Sequence, residues 1–425
     1  MENLAGKRLL IIGGLNNLDD LLELAHRNGI FVGVTDRNPN TYLKKLADAA
    51  YDVDATDLDA LDRLIRMEHY DGIFSNFTDV LLPYMAQLGK RTMLPVPFNE
   101  QQCRLSVDKT YFKQVCRQFD VPVPQEYALE EAYTLSRFPL IVKPVDSSGS
   151  RGISVCHTID ELEAAAQKAA QSSRTQRILL EEYIDGNEIN ITYIVQNGTV
   201  QLAAIHDRYF NEAQPDVLRV PDLYIYPSRY DSLYRETVHP AIQRMIRGLG
   251  IQNGSLFFQA CVKEDRIVIY EAGMRLNGCK TYQILSVENS YNTMEHLMEF
   301  ALTGSMGQTI PLSSRFHHWY ATVNVLGKPG KKIARIEGMK KLQSQPWVVA
   351  IAPLYRENDT IPPHSAGTLL QDTTRIHVKA DTKDELIDHI RTVNDTYRLI
   401  GTENKDLVLP PHNLEEIWRN LNYDL

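Results

Sequence analysis

The chain has 425 residues, 43 % hydrophobic and 23 % charged, as in a soluble globular protein of two or three domains. Its 45 lysines and arginines against 54 aspartates and glutamates give a net charge of −9, which argues against a nucleic-acid or anionic-membrane surface for the whole molecule. A local basic pocket remains compatible with that balance. The five cysteines (Cys103, Cys116, Cys156, Cys261, Cys279) are scattered, odd in number and without a CxxC pair, so they read as reduced thiols and not as a disulfide frame or zinc site. Met1 leads into a charged segment, and no apolar run approaches the about 20 residues that span a bilayer. The expectation is a cytoplasmic protein with no signal peptide and no membrane insertion.

Residues 1–100 alternate strand and helix patterns. KRLLIIGG is an apolar strand closing on two glycines, LDDLLELAHRNG an amphipathic helix stopped by Gly29, and FVGVTD a second strand. DLDALDRLIRMEHY reads as a helix, with YDGIFSN and TMLPVP as short strands after it. Such alternation predicts a parallel sheet with helices on its faces. A dinucleotide site built on Gly13-Gly14 and Asp36 would make the protein an NAD-linked oxidoreductase. GGLNN is not GxGxxG, however, and Asp36 suits a turn before Asn38-Pro39.

From about Pro95 the pattern changes. VDKTYFKQVCRQF is a helix with Asp108 and Lys109 near its start; FPLIVKP and GISVCHT are strands, and IDELEAAAQKAAQ is an amphipathic helix. Residues 177–205 give three strand-like runs with turns at Asp185-Gly186 and Asn197-Gly198. Asp207–Pro227 reads as a long loop, ETVHPAIQRMIRGLGI as one helix, and GSLFFQACVKEDRIVIYEAGMRLNG as a hairpin running into a loop. After Pro311 the runs TVNVLG, IEGMKKLQSQ, VVAIAPLY, RIHVKA and KDELIDHIRTVNDTYRL form a small α+β unit, with His317-His318 flanking a strand.

The segment FPLIVKPVDSSGSRGISV carries the chemistry. A strand fixes Lys143, whose ammonium can reach a phosphate oxygen. The loop Ser147, Ser148, Gly149, Ser150, Arg151 and Gly152 supplies backbone N–H groups, two positions without Cβ, and a guanidinium. It is not a Walker loop, because its lysine precedes the glycines. Taken alone it is an ordinary turn, but other pieces fall in a fixed order around it. Lys109 precedes it; Glu181, Glu182, Tyr183 and Ile184 form an extended hinge whose backbone can read adenine; Glu188 can accept from a ribose. Gln259 and Glu271, on paired strands, offer the oxygens that Mg²⁺ prefers, with Mn²⁺ as a substitute.

This order resembles the ATP-grasp superfamily of carboxylate–amine ligases, in particular L-amino-acid ligase-like and carbamoyl-phosphate-synthase-like proteins. EEYIDGNE resembles the family's hinge and ribose carboxylate, and FFQACVKEDRIVIYEAGMRLNG its metal hairpin with the following arginine, here Arg275. The resemblance implies an α/β and α+β multidomain fold: a parallel α/β domain over 1–100, an ATP-grasp fold of two α+β subdomains over 101–310 (lid about 120–184), and an α+β cap over 311–425. It implies ATP and Mg²⁺ as cofactors, activation of a carboxylate as acyl phosphate, and capture by an amine, with Lys143, Arg151 and Arg275 in catalytic roles. Small-molecule carboxylates and amines are the implied partners, and a homodimer is common among such proteins. Arg208, Tyr209, Tyr226, Arg229, Arg275 and Asn277 suit a polar, carboxylated substrate. One departure stands out: the family's Glu-x-Asn reads Glu271-Ala272-Gly273, and glycine cannot ligate. That leaves open a catalytically impaired ATP-binding regulator, and a second Mg²⁺ would have to use water, another residue such as Asn277, or bind less tightly.

Overall fold

The computed structural model describes residues 3–14, 18–132, 137–146, 152–210, 219–423 and 425. Its first sheet is parallel, in the order β3 (Ala49–Tyr51), β2 (Phe31–Thr35), β1 (Arg8–Ile12), β4 (Gly72–Phe74). The near-continuous apolar run of β1 places it centrally, buried under helices on both faces. TMLPVP forms no strand. The helix Leu82–Thr92 ends there at Met93 in the left-handed region, and Pro95 and Pro97 carry no N–H for a ladder.

A second, antiparallel sheet has the order β5 (Glu126–Tyr127), β8 (Ile178–Glu182), β6 (Leu140–Pro144), β7 (Ser154–Cys156). The helix Leu162–Ser172 packs its alanine face on it. Gly152 adopts a positive φ of 74°, and a Cβ there would lie 2.4 Å from Ser172. Gly152 thus packs directly against that helix.

The largest sheet has eight strands: β13 (Arg266–Gly273), β12 (Gly254–Lys263), β9 (Asn187–Gln196), β10 (Thr199–Phe210), β11 (Pro221–Tyr226), β14 (Trp319–Leu326), β17 (Asp372–Ala380) and β16 (Val348–Pro353). Alternation divides β9. Ile189, Ile191, Tyr193 and Val195 pack with the helices Asp231–Thr237 and His239–Gly248, while Glu188, Asn190 and Thr192 take the other face. Three expectations change here. The span Asp207–Pro227 is not a loop throughout, because β10 runs to Phe210 and β11 begins at Pro221. The single helix over 236–251 is two helices, broken at Val238 before Pro240. The strands after residue 311 extend the same sheet as the central strands, so the cap is no separate layer. A two-stranded ribbon, β15 (Ile333–Glu337) with β18 (Arg398–Gly401), completes it.

Candidate active site

Lys143 sits near the end of β6, 5 % exposed, with its Nζ 2.6 Å from Oε2 of Glu181 on β8. The other Glu181 oxygen takes Lys113, which is fully buried and also lies 3.4 Å from Glu126. The helix Lys109–Gln118 presents Lys113 because the Asp108 side chain caps it, accepting from the Tyr111 N–H. Glu181 therefore enters the site as the shared counter-ion of two lysines. Lys113 escaped the sequence reading, although its place one helical turn after Lys109 puts both on one face. Burial drives Lys143 well below the ordinary lysine range; Lys113 and Lys109 push it the same way and Glu271 opposes them. Burial likewise holds Lys113 down to about 8, opposed by Glu126. A polyanion entering here would relieve that mutual repulsion.

The same electrostatic neighbourhood brings in the large sheet, since Lys143 feels both Glu271 and Cys261. Across β13, β12 and β9, Glu271 lies opposite Gln259, and Gln259 opposite Asn190. Cys261 pairs with Glu188, and Glu188 with Arg208 of β10. Glu188 Oε2 accepts from Arg208 at 2.6 Å and from the Tyr270 hydroxyl at 2.6 Å. Tyr270 reaches this face through the bulge after Gln259, where β13 carries one more residue than β12. Burial, then the charge of Glu188, raises the Cys261 thiol, so it stays protonated. At the hinge, the Glu182 N–H bonds to Gln125 O and the Tyr183 N–H to Pro139 O, and the Ile184 N–H makes no hydrogen bond with a described residue. Ser147, Ser148, Gly149, Ser150 and Arg151 lie outside the described residues.

The donor set tests the site for a divalent ion. Glu271 and Gln259 make no side-chain hydrogen bond or ion pair with a described residue, and the buried Asn190 Oδ1 beside them has no partner. Among the described residues no three His, Cys, Asp or Glu side chains group as a self-sufficient metal site. This suits an ion that phosphate oxygens help to hold.

The substrate candidates divide. Arg208 belongs to the site through Glu188. Arg275 clamps Asp79 of the first domain with Nε at 2.8 Å and Nη2 at 2.6 Å, and gives Nη1 to Leu276 O, leaving two of its five N–H groups without a described partner. Tyr209 and Arg229 face the other way: Arg229 lies 3.5 Å from Asp207, on the opposite face of β10 from Arg208, and Tyr209 packs with the cap. The Asn277 amide donates to Thr192 and Thr281 and its oxygen accepts from the Thr281 N–H, while the Tyr226 and Thr281 hydroxyls share a hydrogen bond, so both side chains are engaged in one buried cluster. Sequence reasoning missed the partners that tie three domains together here. Lys280 lies 3.2 Å from Asp20, Arg356 3.0 Å from Asp19, and Arg375 bonds Asp372 and the Gly278 carbonyl. Asp36 accepts from the N–H groups of Gly14 and Asn38, as the turn reading expects. His318 bonds Glu288 at 2.9 Å beside β14.

Known proteins resemble parts of this chain. Residues 136–283 match the model of the ATP-grasp domain. An ATP-grasp enzyme, fsqD, of Aspergillus fumigatus is 31 % identical over 136 residues, covering 30 % of this chain and 24 % of that protein. The carbamoyl phosphate synthase large chain of Clostridium acetobutylicum is 24 % identical over 300 residues, covering 64 % of this chain and 28 % of that one. The chain thus spans about a quarter of the length of these curated relatives. The crystal structure of L-amino acid ligase from Bacillus licheniformis superposes with a TM-score of 0.74 at 19 % identity, over 93 % of this chain and 99 % of that chain, which establishes the shared fold. The lysine-bearing strand β6 and the polar row on β9, β12 and β13 both lie inside that match, so residues 136–283 carry the features of an ATP-grasp domain.

Proposed function

We propose that the protein is an ATP-dependent, ADP-forming ligase that joins a carboxylate to an amine. The observation that carries this reading is the clustering of Lys143 and Lys113 about the single buried carboxylate of Glu181, a pair of cations that suits a polyphosphate. In this reading the Ile184 N–H and neighbouring hinge atoms hold adenine, and Glu188, fixed by Arg208 and Tyr270, accepts from the ribose. The loop Ser147–Gly152 covers the phosphates, with Arg151 adding charge. Glu271 and Gln259 would hold Mg²⁺, which neutralises phosphate charge when bound.

The chemistry needs no side-chain nucleophile. A substrate carboxylate oxygen attacks the γ-phosphorus, its bond to the ADP oxygen breaks, and an acyl phosphate and ADP result. Lys143 and Lys109 offset the charge spread over the transferring group. An amine nitrogen then attacks the acyl carbon, inorganic phosphate leaves, and the nitrogen loses a proton. The two unpartnered N–H groups of Arg275 are suited to the oxyanion formed on the way.

The test is ADP and phosphate release with a panel of carboxylate and amine pairs. Lys143→Ala should lose at least about 100-fold in turnover with its melting curve little changed, since removing one preorganised charge contact of this kind costs roughly that much. Unchanged ADP release in Lys143→Ala would overturn the assignment. Nucleotide binding without turnover on any pair would favour the regulator.

A further inference from the structure

Phe257 lies opposite Gly273 on the β12–β13 hairpin, one step along from the Gln259–Glu271 pair and on the same face. A Cβ at Gly273 would fall 2.1 Å from Cε1 and 2.3 Å from Cζ of the Phe257 ring. Gly273 is not among the residues with positive φ, so its backbone does not demand glycine. Space does. Resting on the ligase reading above, we infer that the Phe257 ring fills the volume a second metal-ligating side chain would need, so that the chain furnishes ligands for one divalent ion per bound nucleotide.

The carboxylates on this face support the count. Glu181 is held by Lys113 and Lys143, and Glu188 by Arg208 and Tyr270. Glu271 is thus the one acidic group of this set without a partner among the described residues, and Gln259 beside it is neutral. Two dications would share a single protein charge, with only the neutral oxygens of Gln259 and Asn190 beside it. The ring does a further job, because the Arg275 guanidinium lies 4.9 Å from its centroid while Asp79 clamps the other side. Phe257 is therefore a positioning residue. It trades a mobile second cation for a covalently tethered one held over an aromatic face.

Manganese counted by the loss of its free electron-paramagnetic-resonance signal tests this on the whole chain saturated with ADP or with the β,γ-imido analogue of ATP. One Mn²⁺ per bound nucleotide is expected, with no tight binding when nucleotide is left out. Two per nucleotide would overturn the inference and leave the ligase reading standing, whereas failure to bind nucleotide at all would overturn both. A double-mutant cycle tests the ring itself. Gly273→Ala should lower the urea midpoint in the parent chain and lose most of that effect in a Phe257→Ala background. Equal shifts in the two backgrounds would show that the ring does not set the need for glycine.

Discussion

Lys113, Glu181 and Lys143 show how one buried carboxylate organises the candidate site. Two ammonium groups out of water repel each other, and only Glu181, itself wholly buried, answers both. Breaking such a network by removing its one shared anion costs about 3–5 kcal/mol, because uncompensated charge stays behind. Glu181→Gln should therefore lower unfolding free energy by about that much in urea, and saturating ATP analogue should restore part of the loss. No recovery with nucleotide would separate the lysines from the phosphates. Lys143 was legible in the sequence because an apolar strand ending in Lys-Pro before a Ser/Gly loop is a local pattern. Its counter-ion was legible only as a residue and not as a role. Glu181 lies on another strand, and the sequence gives no measure of which face of the hinge it takes.

The hairpin β12–β13 does at the level of an element what no single residue could. Its bulge after Gln259 turns Tyr270 onto the same face as Glu271, so that the tyrosine hydroxyl fixes Glu188 on a neighbouring strand. Tyr270→Phe removes that bond and the one the hydroxyl accepts from Arg208, and leaves the Arg208–Glu188 pair. A bond to a charged group is worth about 1.5–3 kcal/mol, so binding of ATP analogue should weaken about 10- to 100-fold, read by calorimetry, with metal stoichiometry unchanged. An unaltered affinity would mean that Arg208 alone positions the carboxylate. The bulge was invisible in advance, since alternation along VIYEAG assigns Tyr270 and Glu271 to opposite faces and only the register with β12 overrides it. The span expected as one long loop before Pro227 misled for a related reason. A strand such as PDLYIY, buried on both sides between β10 and β14, shows no polar alternation to mark it.

Ion pairs between distant segments hold the molecule together. Asp79 with Arg275, Asp19 with Arg356 and Asp20 with Lys280 each join segments far apart in the chain. The sheet itself runs without a break from β13 to β16, across the position where the cap was expected to begin. A fragment ending at residue 310 would expose the edge of β11 and strip Leu223 and Ile225 of the core they share with β14 and β17. It should fail to give a cooperative urea transition, and a soluble fragment with a sharp transition would show that the cap is dispensable. Periodicity, turn chemistry and motif order along the chain determined the parallel first sheet, the lysine strand and the hairpin that carries Gln259 and Glu271, because each is written in neighbouring residues. The tertiary structure alone decided which acids neutralise which bases, which residues share the face with Glu271, and why position 273 is glycine. Those depend on strand register and domain contact between segments as much as 337 residues apart, distances over which sequence carries no local signal.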